Sequence, residues 1–345
     1  MSGVRFGVFT PPRGLGAIYR TAEMAEAGPW DSVWVPDHIV GWGSKLDALD
    51  PWTLLGTLAA KTKRVGLGIG VSDPHRRHPA VFAHQAMTLD QVSGGRLLLG
   101  VGAGEAMNLA PYGIPFDRAV SRFEEFLSVT RALWTQKMVT HRGTYYQLKN
   151  APMAPKPDSL KLYIAGNAPR TMGLTARFGD GWLPFKRTPE VYRRDWEFIR
   201  AEAKKAGRDP GAIRPGLLLY TAISRDREEA RKLALEQGRI LLAVSPRRMR
   251  EMGYEPPSGR LDAHRLTPLT DPSVSPELPK AMRVPERAIE ESFVFGTPED
   301  CVEGVRKFVE AGCRHFVAGI LNPGRERDGA MELYAKEVIP HFAEG

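Results

Sequence analysis

Eight short apolar runs, separated mostly by segments of helical periodicity, set the tightest limit on what this chain can fold into. They are VRFGVF (4–9), SVWVP (32–36), VGLGIGV (65–71), RLLLGVG (96–102), KLYIA (161–165), GWLPF (181–185), GLLLYTAI (216–223) and RHFVAGI (314–320). Near-continuous Val, Ile and Leu suits parallel strands covered on both faces rather than the alternating strands of a half-solvated sheet. The intervening helices have legible ends. Pro79 opens PAVFAHQAMTLDQVS, places Phe82, Ala86 and Leu89 on one face, and meets Gly94-Gly95 as a stop. A second helix is expected over 118–135, with Val120, Phe123, Leu127 and Trp134 at core spacing. Thr297 caps a third from Pro298, with Val302, Val305 and Val309 inward and Gly312 closing it.

Eight strands alternating with helices predict a closed (β/α)₈ barrel, the TIM-barrel architecture. A doubly wound open sheet is the alternative. It lacks its Gly-rich turn, since PPRGLG after the first run fails the G-x-G-x-x-G spacing. All 345 residues are read as a single domain with one break in rhythm, a Pro-rich insertion at 243–292. Such a segment is a lid, a dimer contact or a disordered loop.

Lys and Arg outnumber Asp and Glu by 48 to 40, a net charge of +8. The excess fits either a polyanionic ligand or a solvated basic surface. Basic residues are scattered, clustering only at Arg76-Arg77 and SPRRMR (245–250), and no nucleic-acid module accompanies them. No run approaches a membrane span, and the start reads directly into a strand, so a cytoplasmic protein is expected. Cys301 and Cys313 are too few for a disulfide framework or zinc site.

In a barrel, chemistry gathers where strands end. Asp37 and His38 follow the second run, GVSDPHRRHP (70–79) the third, GAGEAMN (102–108) the fourth and AGNAPR (165–170) the fifth. These stretches should converge on one mouth. Glu105, three residues before Asn108, either caps a helical turn or shares acid/base work with His38, which is otherwise a core histidine. GNAP (166–169) is either an anion loop at a helix start or a tight turn. His75 and His78, bracketed by Pro74 and Pro79 without matching carboxylates, predict no metal.

Across nearly its whole length the chain resembles the luciferase-like flavin and deazaflavin oxidoreductases, and among them the branch that uses coenzyme F420. The stretches carrying the likeness are DSVWVPDH, PWTLLGTLAAKT, GIGVSDPHRRHPAV, GGRLLLGVGAGEAMNLAPYG, RFEEFLSVTRALW, LYIAGNAP and ARFGDGW. The resemblance implies a luciferase-like TIM barrel. It also implies Asp37, His38 and Trp42 beside the deazaflavin, and Gly70-Val71 as a bulge with a non-prolyl cis peptide backing the ring. Glu105 and Asn108 match the family's GTGE-x-x-N stretch, and Ala165, Gly166, Asn167 and Ala168 match the loop that receives the cofactor phosphate. Ser72, Asp73 and Lys186 are further candidate cofactor contacts.

The implied reaction passes hydride between the deazaflavin C5 and a carbonyl, imine or activated alkene. The accompanying proton comes from His38, oriented by Asp37, or from Glu105. The phosphate and oligoglutamate tail of the deazaflavin suit a basic mouth, and the family implies a homodimer. An FMN-dependent monooxygenase of the same fold and a non-catalytic flavin-like binding barrel are the alternatives. No phosphate-binding set for a sugar-phosphate substrate is recognisable.

Overall fold

The computed structural model describes residues 3–11, 14–40, 48–157, 160–263 and 272–342. Its strands are β1 (Arg5–Phe9), β2 (Ser32–Val35), β3 (Gly66–Ser72), β4 (Leu97–Val101), β5 (Met138–Arg142), β6 (Gln147–Pro152), β7 (Lys161–Ile164), β8 (Gly181–Trp182), β9 (Arg214–Ile223), β10 (Val294–Gly296) and β11 (His315–Ile320). The helices are α1 (Leu15–Ala27), α2 (Pro51–Lys61), α3 (Pro79–Ser93), α4 (Ala119–Thr135), α5 (Pro169–Phe178), α6 (Pro189–Lys205), α7 (Arg227–Ala243), α8 (Pro246–Glu251), α9 (Glu286–Ser292), α10 (Pro298–Glu310) and α11 (Glu326–Glu337). None of them is long and apolar enough to cross a membrane.

Parallel pairing runs β1-β2-β3-β4-β7-β8-β9-β11 and returns to β1, which closes a (β/α)₈ barrel from the eight expected runs. The second-to-last pair is lengthened by β10, laid parallel on the end of β9, and β5 and β6 form a separate antiparallel hairpin. Neither feature shows in the periodicity, because β10 is three residues long and the hairpin is mostly exposed. The sixth run proves shorter than its apolar composition suggests: β8 stops at Trp182, and Phe185 adds one isolated bridge to Leu218.

Outward-facing strand residues such as Val33, Val35, Leu67 and Ile69 pack with the helices in one large core. Inside the barrel lies a smaller cluster of Trp34, Tyr163, Leu183 and Val317. Trp34 fits only because its neighbours are minimal. A Cβ on Gly68, its register partner on β3, would lie 2.2 Å from the indole, and one on Gly7 of β1 would lie 2.9 Å from its Nε1. The polar groups in this interior satisfy one another. Trp34 Nε1 donates to Ser32 Oγ (2.9 Å), and His315 spans Ser32 Oγ (3.4 Å) and Tyr163 Oη (3.0 Å). Burial pushes the His315 imidazole down to about 3 and the Tyr163 phenol up to about 12, so both are neutral and the Tyr163 hydroxyl donates to His315 Nδ1.

The helix ends follow their sequence signals. Gly94 takes a left-handed φ of 69° behind α3, and Thr297 with Asp300 forms a capping box on α10. The described part of 243–292 is largely helical rather than irregular. Pro246 opens α8, Pro285 caps α9, and residues Pro272–Arg283 form a 3₁₀ run with Pro276 and Pro279 inside it. Pro cannot donate a helical N–H, but at helix starts none is needed. This segment has a satellite core of its own, in which Met249, Leu261, Ala281 and Ile289 pack on Leu235 and Leu242 of α7. Val40 and Met107, from loops after β2 and β4, join that cluster and bring the segment over one side of the barrel mouth.

Candidate active site

The expected stretches meet at the C-terminal ends of the strands. The loop after β4 makes a 3₁₀ turn at Ala106–Asn108, in which the Asn108 N–H donates to the Glu105 carbonyl (3.1 Å). The Glu105 side chain makes no cap bond, so the capping alternative is not what the chain adopts. Instead its Oε2 lies 3.8 Å from His38 Nε2, and Asn108 approaches the other ring nitrogen, with Nδ2 at 3.3 Å from His38 Nδ1. Asn108 is buried, and its Oδ1 accepts from the backbone N–H groups of Ile39 (2.9 Å) and Val40 (3.2 Å). Those two bonds assign the amide orientation. With Oδ1 held by donors, Nδ2 must donate to His38 Nδ1, and the neutral imidazole carries its proton on Nε2, facing Glu105.

Asp37 has a different position from the one expected of it. Its carboxylate accepts from Arg76 Nη1 (2.8 Å), Arg77 Nη1 (3.2 Å) and Trp52 Nε1 (3.4 Å). Arg76 also bonds the Asp37 carbonyl (2.8 Å) and Asp73 Oδ2 (2.5 Å). Consecutive side chains leaving a strand diverge to opposite faces, so Asp37 turns to the arginines while His38 turns to the mouth. The group that orients the imidazole is therefore Asn108, not Asp37. Burial opposes charge on Arg76, but Asp37 and Asp73 outweigh it and hold its pKa above the ordinary value. His75 and His78, considered above as metal ligands, have structural partners: His75 Nε2 meets the Ala103 carbonyl (3.1 Å), and His78 Nδ1 accepts from Ala80 N–H at the start of α3.

The Gly70–Val71 peptide bond is cis, and the β3–β4 register shifts between Ile69 and Ser72. Ser72 beyond it is fully buried, and its Oγ has no partner among the described residues. The same holds for Thr10 Oγ1, Asn167 Oδ1 and Thr221 Oγ1. All four follow or end barrel strands at the mouth, where unsatisfied buried polar atoms call for an explanation. They fit a polar ligand seated there. Trp42 lies outside the described residues.

Across the mouth, the Ala165–Ala168 loop turns into α5. The N–H groups of Asn167 (3.1 Å) and Ala168 (3.0 Å) both donate to Thr171 Oγ1, which realises the tight-turn alternative. Cations gather behind that turn. Arg187 Nη2 (3.1 Å) and Arg248 Nη1 (2.5 Å) both donate to the Asn167 carbonyl. Lys186, at a left-handed φ of 54°, donates to the Leu241 carbonyl and Ser245 Oγ, both at 2.7 Å, and so ties the barrel to the 243–292 segment. Burial pushes the Lys186 ammonium down to about 7, against the pull of Glu105 and with a push from Arg248. Burial and the like charge of Arg187 push Arg248 down to about 9 despite Glu251, and burial lowers Arg187 against Asp195 and Glu251. Arg187 and Arg248 escaped the sequence reading as site residues; the only signal was the basic cluster in SPRRMR.

Comparison with known proteins agrees with this architecture. The family described as luciferase-like monooxygenase matches residues 4–315. A phthiodiolone/phenolphthiodiolone dimycocerosates ketoreductase of Mycobacterium bovis is 30% identical over 99% of this chain and 97% of its own. An F420-dependent glucose-6-phosphate dehydrogenase of Beutenbergia cavernae is 33% identical, covering 92% and 91%. Among solved structures, an F420-dependent secondary alcohol dehydrogenase in complex with an F420-acetone adduct superposes with a TM-score of 0.82 at 26% identity, covering 99% of this chain and 100% of that one. The chain thus belongs to the luciferase-like family and is an enzyme.

Proposed function

We propose that the enzyme is an oxidoreductase using coenzyme F420 on a carbonyl, imine or activated alkene. The observation that carries this reading is the imidazole clamped by Asn108, with its N–H turned toward Glu105. When bound, the deazaflavin supplies a carbon that gives or accepts hydride. Gly70, Val71 and Ser72 would back its ring, with Ser72 Oγ and Asn167 Oδ1, which have no partner among the described residues, as polar contacts. Arg187 and Arg248 would hold the phosphate beside the Ala165–Ala168 loop, whose Asn167 and Ala168 N–H groups are engaged by Thr171. Asp73 and Asp37, locked by Arg76, keep the β2 and β3 loops in place around it.

The fixed tautomer divides the remaining work. A neutral imidazole is a good hydrogen-bond donor and a poor acid, so His38 Nε2–H holds and polarises the substrate oxygen or nitrogen. In oxidation the Glu105 carboxylate takes the proton from that atom, and in reduction the carboxyl group, first protonated from solvent, returns it. Water is kept from one side by the satellite core that Val40 and Met107 share with the 243–292 segment, which acts as a lid.

Equilibrium binding of F420 and FMN side by side, followed by a carbonyl and enone screen with the reduced deazaflavin, tests the assignment. F420 should bind more tightly and lose affinity as salt rises. Tighter binding of FMN together with oxygen consumption would overturn it. Light scattering of the purified enzyme checks the homodimer that belongs to the same reading.

A further inference from the structure

The barrel interior holds titratable side chains that the proposed reaction leaves unused. Branched aliphatic side chains usually fill this space. Here three buried rings share it: Trp34 on β2, Tyr163 on β7 and His315 on β11. Their centroids lie 5.4 Å (Trp34–Tyr163), 5.5 Å (Tyr163–His315) and 5.9 Å (Trp34–His315) apart, so every pair is within the range of ring contact. Stability does not require such a layer, because apolar groups of the same shape can replace a buried hydrogen-bonded pair at little cost.

The hydrogen bonds of the three rings differ in what could receive a proton. Trp34 Nε1–H donates to Ser32 Oγ at 2.9 Å, and a hydroxyl is a poor base. The Tyr163 hydroxyl donates to His315 Nδ1 at 3.0 Å, and an imidazole nitrogen is a far better base. Burial, with Arg214 and Arg5, depresses the His315 pKa. The radical cation of a phenol is nevertheless a much stronger acid than an imidazolium, so its proton still crosses. An oxidised Trp34 thus keeps its proton and remains a strong oxidant, whereas an oxidised Tyr163 passes its proton on and is stabilised. An electron vacancy placed on Trp34 runs downhill to Tyr163.

Trp34 also connects this interior to the mouth. A Cβ on Gly70, in the bulge assigned above to the deazaflavin ring, would lie 3.5 Å from Trp34 Cε3 and 2.7 Å from Phe9 Cε2. The indole and the Phe9 ring therefore pack against the inner side of Gly70. Phe9 and Val71, both partly buried, pack on the same interior cluster as Trp34 and Tyr163.

We propose that Trp34, Tyr163 and His315 form an electron-donating relay that answers one-electron oxidation from the mouth, with the light-excited deazaflavin ring as the oxidant. The inference rests on the F420 reading above. Trp34 gives one electron to the excited ring. Tyr163 then gives one electron to Trp34 while its O–H bond breaks and an N–H bond forms at His315 Nδ1. The ring has gained one electron, Tyr163 has lost one, and one proton has moved from Oη to Nδ1. Return of the electron brings the proton back, and hydride transfer in the dark makes no use of the relay.

The test illuminates the native enzyme loaded with F420. It reads the fluorescence lifetime of the ring, then the radicals by transient absorption and by electron paramagnetic resonance of frozen samples. The native chain should show a shortened lifetime, a brief tryptophan radical and then a neutral tyrosyl radical. Trp34→Phe should lengthen the lifetime several-fold and abolish the tyrosyl signal. Tyr163→Phe, which keeps the ring and removes only the hydroxyl, should stop at the tryptophan radical. His315→Asn, which offers Tyr163 an acceptor that is not a base, should do the same. Turnover of Tyr163→Phe in the dark should stay within a few-fold of native, which separates loss of the relay from loss of the fold. A lifetime unchanged in Trp34→Phe, quenching lost in Trp42→Phe instead, or a tyrosyl signal that persists in Tyr163→Phe would overturn the relay while leaving the F420 reading intact. Failure of F420 to bind would overturn both.

Discussion

The two halves of the mouth differ in how their buried charges are matched. Around the ends of β2, β3 and β4, buried Asp37 and Asp73 are matched by Arg76 and Arg77, in bonds of 2.5–3.2 Å. Around β8, α5 and α8, buried Lys186, Arg187 and Arg248 outnumber Asp195 and Glu251, and burial pushes all three cations toward their neutral forms. A compensated network resists movement and suits the side that must hold reacting atoms in register. An undercompensated one sits at a cost that an arriving anion relieves, and suits the side proposed above to take the cofactor. On the function proposed above, catalytic positioning and cofactor attraction would be separated in space.

The contrast can be broken most severely at Arg76. Arg76→Ala leaves two buried carboxylates facing one another without their shared partner, and should cost about 3–5 kcal/mol in a denaturant melt. Arg248→Met, in the other half, should cost at most about 1 kcal/mol while weakening deazaflavin binding, because it removes a poorly compensated buried charge. Equal destabilisation by the two would show that the halves do not differ.

Turnover should separate them next. Glu105→Gln keeps size and some hydrogen bonding, so turnover should fall by at least about 100-fold while cofactor affinity stays within a few-fold. His38→Gln retains a donor and should lose less than His38→Ala. If the two His38 variants are equally impaired, the imidazole does more than donate a hydrogen bond.

A pH series sharpens the comparison further. Folded Lys186 gives up its proton near pH 7, whereas an unfolded lysine keeps it to about 10.5. In that window the unfolded state binds more protons, so this group makes stability rise with pH. Thermal melts of native and Lys186→Met enzyme from about pH 6 to about pH 10 should show this increment only in the native chain. A flat difference between the two would remove the claim that the second half holds an uncomfortable charge. The smallest effect belongs to Ser72→Ala. Without cofactor it should leave the melting temperature nearly unchanged, since the hydroxyl has no partner among the described residues, yet it should weaken cofactor binding by about 0.5–1.5 kcal/mol.

Much of this was legible in advance, for reasons that differ by element. The barrel strands announce themselves because both faces are buried, so nearly every residue is apolar. The ends of α3 and α10 are legible because Pro79, Gly94 and Thr297 act on their own backbone neighbours. His38, Glu105 and Asn108 stand out as polar residues in short contiguous motifs at strand ends. The helices inside 243–292 were not legible. They are short, rich in Pro, and held by the satellite core, whose partners on α7 and in the mouth loops are remote in sequence.

By itself the sequence determined the closed barrel and the identity of the histidine and glutamate that meet at the C-terminal ends of its strands. Those features follow from local periodicity and from the rule that loops at strand ends share one rim. Only the tertiary structure decided that Asn108, rather than Asp37, faces the imidazole and sets its tautomer, and that Lys186 reaches across to Leu241 and Ser245. It alone brought Arg187 and Arg248 to one carbonyl from opposite sides of the 243 boundary. The physical reason is that a side chain's partner is chosen by the directions in which separate elements deliver their polar groups, and by which buried charges must be matched. Residue order along one strand or loop does not encode that choice.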